Sequence, residues 1–203
     1  MRIFIFSLLA IFFFTSVSSA QTKTSESPVR LLLKAALELG GDRVAQVYFT
    51  NGETQSVRAA QGLNIGAGIE VQITAEPRLL FHATLGFKYV TTQADNAHIR
   101  LTRIPIHVTA NWMLANKFRI GGGLASHQGI RFNADGIAQD VQFKGATGLI
   151  FELAYSGIGL SYTPMKYTDQ HGKEYAANAV GLTFTMAVRK NKQTVTQVHA
   201  PVD

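Results

Sequence analysis

The sequence predicts an all-β protein, an eight-stranded antiparallel up-and-down β-barrel that spans a membrane. Three observations lead to this prediction. Apolar and polar residues alternate in eight separate segments, short and long connections alternate between them, and the polar positions hold small residues with isolated charges. Strict alternation is the period-2 signature of a strand with one apolar and one polar face.

The first twenty residues have the pattern of a secretory signal peptide. Arg2 precedes an apolar run at 3–14, and Ser18 and Ala20 supply the small residues that signal peptidase requires. The apolar run is shorter than the roughly 20 residues that cross a bilayer as a helix. We therefore expect a signal peptide at 1–20, an N-terminal lead-in at 21–32 and a barrel at 33–190.

Composition argues against a disulfide-stabilised domain and against a nucleic-acid-binding protein. The chain has no cysteine, so its stability must come from a core or from closure of the sheet. The net charge of +6 comes mostly from dispersed lysines and arginines. Because no basic patch interleaved with aromatic residues is present, we do not expect a nucleic-acid partner.

The clearest strand is the segment 62–73, "GLNIGAGIEVQI", in which Leu63 and Ile65 alternate with Asn64 and Gly66. Seven other segments repeat the alternation, and no helix-period segment interrupts them, which is typical of hairpin-connected strands. In order, the eight predicted strands are "LKAALEL" (33–39), "GLNIGAGIEVQI" (62–73), "LLFHATLGFKY" (79–89), "RIPIHVTANWML" (103–114), "FRIGGGLASH" (118–127), "TGLIFELAY" (147–155), "IGLSYT" (158–163) and "NAVGLTFTMAV" (178–188). Pro105 lacks the N–H that a ladder needs, so it predicts a bulge or a rim position.

The connections fall into two groups. Three are short: "TAEPR", "ANK" and "SG". The other four, at 40–61, 91–98, 128–140 and 166–174, are long, and long and short connections alternate along the chain. Outer-membrane barrels have short periplasmic turns and longer external loops. In the first long connection, Asn51 and Gly52 form a strong hairpin signal that predicts an extension of the strands above the membrane.

The polar face of the predicted strands indicates which side meets lipid. A water-facing exterior would be rich in long charged side chains, but here Gly, Ala, Thr, Ser and Asn predominate. Such residues suit the tight interior of an eight-stranded barrel. The apolar face places aromatic residues near strand ends, as expected for interfacial girdles. They are Tyr89, Trp112, Phe118, Tyr155 and Tyr162.

Residues 34–189 resemble the small outer-membrane barrels of the OmpA and OmpX type. The resemblance rests on the architecture and on blocks such as "LELGGDRVAQVYFTNGETQSVRAAQGL" and "GFKYVTTQADNAHIRLTRIP". It implies a location in the cell outer membrane, with outer-membrane lipid, lipopolysaccharide and the barrel-assembly machinery as partners; we also expect a monomer. Members of this group usually end on an aromatic residue, whereas this chain continues after "LTFTMAV" with fifteen further residues, "RKNKQTVTQVHAPVD". We expect the tail at 191–203 to be a disordered periplasmic peptide.

The polar face also carries charged residues that are predicted to enter the lumen. An acid–base pair of Glu70 and His82, or a metal site made by histidines, is one interpretation. Because buried charges need partners, a structural network that fills the lumen is favoured, and we predict no catalytic, cofactor-binding or metal-binding residue. This predicted lumen cluster comprises Glu38, Glu70, His82, Lys88, Arg103, His107, Arg119 and Glu152.

The short "TAEPR" turn fixes the expected register of the second and third predicted strands. If the apolar faces align across it, Val71 lies opposite Phe81 and Glu70 lies opposite His82. Side chains directly opposed on neighbouring strands have Cβ atoms about 4.5–5.5 Å apart. The carboxylate and the imidazole should therefore meet inside the barrel.

The predicted function is that of a non-enzymatic outer-membrane barrel with a plugged lumen and a structural or surface-interaction role. Three alternatives stay open: a lipid A modifying enzyme, a small-solute pore and a periplasmic lipocalin-like carrier. Lipid A deacylases carry a His and a Ser two residues apart on a strand. Here Ser126 directly precedes His127, so the two side chains are expected on opposite faces.

Overall fold

The structure is a computed structural model that describes residues 28–48, 54–94, 97–115, 117–136 and 139–188. The predicted signal peptide, residues 21–27 of the predicted lead-in and the predicted tail lie outside the described residues. So do Asn51 and Gly52.

The described chain forms thirteen β-strands. They are β1 (Val29–Gly40), β2 (Arg43–Tyr48), β3 (Thr54–Arg58), β4 (Gly62–Gln72), β5 (Leu79–Ala94), β6 (Ala97–Ala115), β7 (Phe118–Asn133), β8 (Val141–Gln142), β9 (Ala146–Tyr155), β10 (Ile158–Thr163), β11 (Lys166–Thr168), β12 (Glu174–Ala176) and β13 (Ala179–Val188). Among the described residues, no helix is long and apolar enough to cross a membrane.

Eight of these strands close into an antiparallel up-and-down barrel. The hydrogen-bonded order is β1, β4, β5, β6, β7, β9, β10, β13, and β13 pairs with β1 to complete the ring. A closed ring satisfies the backbone hydrogen bonds of every strand and leaves no sheet edge. The prediction of eight antiparallel barrel strands is confirmed.

Several boundaries differ from the sequence prediction. β1 begins at Val29, so 29–32 belong to the barrel although they were predicted as lead-in. Leu31, Leu32 and Leu33 are all apolar and hide the alternation, yet Leu32 is fully buried while its two neighbours are exposed. β5, β6 and β7 also continue beyond their predicted ends into the connections at 91–98 and 128–140.

The predicted hairpin of the first long connection is present. β2 and β3 pair antiparallel as a separate two-stranded sheet, from Gln46 opposite Ser56 to Tyr48 opposite Thr54. The turn between them lies outside the described residues.

The barrel has apolar side chains on its outer surface and charged side chains in its interior, the opposite of a soluble protein. Large apolar side chains are exposed on all eight barrel strands, including Leu37, Leu85, Leu124 and Leu182, whereas charged side chains are buried inside. Water would oppose this arrangement, since exposed apolar area is unfavourable by about 25 cal/mol per Å². Lipid favours it, and the fold is that of a transmembrane β-barrel.

The exposed aromatic residues lie at both margins of this apolar surface. Trp112, Phe118 and Tyr155 lie at the short-turn end, where the rings of Phe118 and Tyr155 are 6.2 Å apart. Tyr89 and Tyr162 lie at the long-loop end of β5 and β10. Both groups have the positions expected of interfacial girdles.

A β-bulge in β7 separates two regions of the interior. Thr102 pairs with Arg131 but Ile104 pairs with Gln128, so β7 has one residue more than β6, and Gly129 adopts a φ of 56°. The extra residue reverses the alternation, and it turns Ile130 inward and Arg131 outward.

Pro105 does not lie at a rim. It is fully buried opposite His127, and it interrupts the ladder with β5: Leu85 pairs with Ile106 and Lys88 with Arg103, without a bridge between them. The register is unchanged across this gap. The bulge predicted from Pro105 is found instead on the neighbouring strand β7, opposite Arg103.

Above the bulge the interior is apolar. We call the apolar residues packed together at this end the apolar cap. They come from the β2–β3 hairpin, from the extensions of β5, β6 and β7, and from the connections around β8 and β11. Its members include Val57, Ala59, Val90, Ile99, Leu101, Ile130, Phe132, Phe143, Met165, Tyr167 and Ala177. The cap lies over the charged lumen at the long-loop end.

Replacing a lipid-facing residue by arginine should destabilise the barrel. We expect Leu182→Arg to lower the free energy of unfolding by about 2 to 4 kcal/mol, because a charge near the bilayer midplane loses its hydration. Urea unfolding in phosphocholine vesicles, followed by Trp112 fluorescence, measures this change. Thr74→Arg adds the same charge in an exposed short turn and should have little effect. Equal losses in both variants would contradict the lipid-facing assignment.

Candidate functional site

The candidate site is the charged lumen of the barrel. All eight residues of the predicted lumen cluster are buried. The structure divides seven of them into three groups along the barrel axis and places the eighth, His107, against His127. It also adds partners that the predicted cluster did not include.

The short-turn cluster consists of Arg30, Glu70, His82 and Arg119. Glu70 and His82 are register partners on β4 and β5, and His82 Nε2 lies 2.9 Å from Glu70 Oε2. The predicted register is confirmed. Arg119 Nη1 lies 3.1 Å from the other ring nitrogen of His82.

Arg30 completes this cluster from β1. Its Nη2 lies 2.7 Å from Glu70 Oε1. The sequence prediction missed Arg30 because it placed 21–32 before the barrel. The signal for it was available in the alternation of Val29, Leu31 and Leu33, which continues the outward face of β1 by two further positions.

The central pair crosses the lumen. Lys34 on β1 donates a hydrogen bond from Nζ to Oε1 of Glu152 on β9, and both side chains are almost completely buried. Arg119 Nη2 is 3.8 Å from the second oxygen of Glu152. The short-turn cluster and the central pair therefore form one connected network.

The long-loop cluster is built around Lys88 and Glu38. Lys88 Nζ donates to Glu38 Oε2 and to the carbonyl oxygen of Ala60, the latter at 2.6 Å. Gly181 is the register partner of Glu38. A Cβ at that position would lie 2.9 Å from Glu38 Cγ and 2.7 Å from Ser161 Oγ, so the carboxylate side chain requires a glycine opposite it.

Arg103 joins this cluster and is fully buried. Its Nη1 donates to the carbonyl oxygen of Ala59 and its Nη2 donates to that of Gln61. Backbone carbonyl oxygens thus bind both Nη atoms of a guanidinium group that forms no salt bridge with a carboxylate among the described residues, and its buried Nε has no hydrogen-bond partner there. Lys88 and Arg103 together hold the segment 59–61 against the top of the lumen.

Two histidines and a tyrosine connect the lumen to the apolar cap. The rings of His107 and His127 are stacked with centroids 6.1 Å apart, and the ring of His127 lies 5.9 Å from that of Tyr167. Burial raises the pKa of Tyr167 to about 12. The hydroxyl therefore keeps its proton at neutral pH, and it shares a hydrogen bond with Nδ1 of His127.

Ser126 and His127 make separate sets of contacts. The hydroxyl of Ser126 accepts a hydrogen bond from Gln128 Nε2 at 2.8 Å and lies 3.2 Å from the hydroxyl of Thr147. His127 is buried against Tyr167. The two side chains point to opposite faces of β7 and do not form a nucleophile–base pair.

The histidines do not assemble a metal site in the described part of the chain. Among those residues, no three His, Asp or Glu side chains are grouped so that they could hold a metal ion.

Comparisons with known proteins find a likeness among solved structures only. No protein-family model matches the chain, and no curated protein matches it. The crystal structure of Ail, the attachment invasion locus protein of Yersinia pestis, aligns over 80% of this chain and 100% of that chain, with 6% sequence identity and a TM-score of 0.41. A likeness of this size says nothing about function.

Breaking the Lys88–Glu38 pair should strongly destabilise the barrel. Lys88→Met leaves the Glu38 carboxylate buried without its ammonium partner, and we expect a loss of about 3 to 5 kcal/mol in unfolding free energy. The double variant Glu38→Gln/Lys88→Met should lose less than the sum of the single variants, because neither charge is then left alone. Chemical denaturation of the folded barrel measures each value.

The exposed pair Lys166–Glu174 provides the control. Its side chains are 71% and 61% exposed, with Nζ and Oε2 3.1 Å apart. Lys166→Met should therefore cost less than about 1 kcal/mol. If Lys166→Met and Lys88→Met had the same effect, the Lys88–Glu38 pair would not depend on its burial.

Proposed function

We propose that this chain is a non-enzymatic protein of the cell outer membrane, whose lumen is plugged by its own side chains and which has a structural or surface-interaction role. One observation carries the proposal: the exposed apolar surface of all eight barrel strands surrounds an interior of buried charges. Only a protein that is solvated by lipid on its outside gains from this arrangement.

The contents of the interior support a closed lumen. The short-turn cluster, the central pair and the long-loop cluster occupy successive levels, and most of their charged groups bind one another or backbone carbonyls. The apolar cap lies above them. A hydrated ion would have to break ion pairs at three levels and then pass an apolar layer.

The arrangement of polar groups supports a role without catalysis. Each buried carboxylate of the lumen has a cationic partner, so none is positioned as a free general base. Ser126 and His127 are the Ser and His whose spacing is most similar to that of the lipid A deacylases, and their side chains point to opposite faces of β7. We assign no cofactor to the barrel.

Closure of the sheet supports a monomer whose partners are the membrane lipids and the barrel-assembly machinery. A ring without edges does not need a second chain to complete its hydrogen bonds. The exposed apolar surface needs lipid, including the lipopolysaccharide of the outer leaflet, as its solvent.

Cell fractionation and tag accessibility test the location and the orientation. We expect the folded chain in the outer-membrane fraction, migrating faster on unboiled than on boiled gels. An epitope inserted after Asp135 in a long loop should be cleaved by protease added to intact cells, whereas one inserted after Ala75 in a short turn should be protected. Recovery in the soluble periplasmic fraction would support a carrier instead and reject the proposal.

Planar-bilayer recording tests the plugged lumen. The wild type should give no steady conductance. Glu70→Ala should also stay closed, because the central pair, the long-loop cluster and the apolar cap remain in place. An open porin recorded in the same bilayer provides the positive control. A stable, ion-selective open state of the wild type would replace the proposal with a small-solute pore.

A further inference from the structure

A polar cavity lies on the outer surface of the barrel at its long-loop end, outside the lumen. It has a volume of about 290 Å³ and is formed where β6, β7 and β8 meet. Its polar lining consists of Arg100, Thr102, Arg131, Asn133, Asp140 and Gln142.

The bulge of β7 brings the two arginines to the same outer surface. If the regular alternation of β7 continued through Gly129, Ile130 would point outward and Arg131 inward; because Gly129 is the extra residue of a bulge, Arg131 is exposed and pairs in register with Thr102. Arg100 is the next outward residue of β6, diagonal to Arg131. Diagonal neighbours on antiparallel strands are separated by about 7–8 Å, close enough for two guanidinium groups to bind one anion.

The positive charge of this cavity is not neutralised within the described chain. Neither guanidinium group forms an ion pair or a side-chain hydrogen bond among those residues. The single carboxylate of the lining, Asp140, accepts hydrogen bonds from Asn133 Nδ2 at 3.0 Å and from the backbone N–H of Ala134 at 2.9 Å. It therefore holds the turn after β7 and leaves both arginines free to bind an external anion.

The cavity adjoins the lipid-facing surface directly. On β6, Ile104 and Ile106 expose 43% and 40% of their surface, while on β7 the outward polar residues Ser126 and Gln128 lie opposite them. Thr102 is the next outward residue after Ile104, about 7 Å further along the strand. The cationic cavity thus begins where the apolar surface ends, at the depth of lipid headgroups.

We propose that Arg100 and Arg131 bind a phosphate group of a phosphorylated glycolipid in the outer leaflet. Arginine forks match phosphate oxygens in bidentate geometry. The polar side chains of Thr102 and Gln142, which line the same cavity, bind sugar hydroxyls, while the acyl chains pack on Ile104 and Ile106. This site rests on the proposed function, because it requires the long-loop end to face the outer leaflet.

Lipid binding to the folded, full-length chain tests the site. The barrel is embedded in zwitterionic phosphocholine nanodiscs and titrated with diphosphorylated lipid A, and bound lipid is counted by native mass spectrometry. We expect Arg100→Gln/Arg131→Gln to weaken binding by about tenfold or more, since two charge-assisted contacts are lost. Arg78→Gln removes an exposed arginine at the short-turn end and should bind like the wild type.

Two competition arms identify the source of the phosphate. Dephosphorylated lipid A should bind the wild type as weakly as diphosphorylated lipid A binds the double variant, and inorganic phosphate alone should not displace the lipid. Unchanged binding by the double variant, or an equal loss in Arg78→Gln, would overturn the site. Displacement by inorganic phosphate would show a free-anion site and reject the lipid assignment.

The experiments distinguish failure of the proposed function from failure of the glycolipid site. A chain that does not enter nanodiscs or show heat-modifiable migration would contradict the outer-membrane barrel itself. A chain that inserts normally but binds lipid A without dependence on Arg100 and Arg131 would contradict only the glycolipid site.

Discussion

The narrow interior of a closed eight-stranded ring is the constraint on which the rest of this structure depends. Every second residue of each barrel strand must enter a space that is only wide enough for side chains. Long charged residues fit there only beside very small ones, as Glu38 does opposite Gly181. The same narrowness lets Lys34 reach Glu152 across the lumen, although 118 residues separate them in the sequence. The small residues and the ion pairs of the interior therefore both follow from the small diameter of an eight-stranded ring.

The bulge at Gly129 separates the two chemical environments inside the barrel. Below it, inward positions of β7 such as Arg119 and His127 contribute to the charged lumen. Above it, the reversed alternation sends Ile130 into the apolar cap and Arg131 to the outer surface. One additional residue thus turns an apolar side chain into the barrel at the long-loop end and an arginine to the outer surface.

The alternation of apolar and polar residues was sufficient to predict the eight barrel strands and a contact between adjacent strands, that of Glu70 with His82. It failed where the local pattern was hidden or where contacts depend on closure. Three consecutive leucines concealed the start of β1 and hence Arg30. The apolar cap was missed because the bulge shifts the alternation after Gln128, and because residues such as Phe143 and Tyr167 come from separate connections. The pairing of Lys34 with Glu152 depends on cross-lumen geometry, which no adjacent-strand register contains.

The Lys34–Glu152 ion pair joins β1 and β9, which meet only when the ring is closed, and this links its energetics to assembly. While the sheet is open, Lys34 and Glu152 face water on β1 and β9; closure removes that water, and an unpaired charge then carries a penalty of several kcal/mol. A one-residue slip of β1 against β13 would send Lys34 and Glu38 into lipid and Leu37 into the lumen. Desolvation of unpaired charges thus disfavours misregistered barrels, in which these side chains would face lipid without their partners. We infer that the buried charges contribute chiefly to the specificity of ring closure, which explains why an interior that could hold apolar side chains contains paired charges instead.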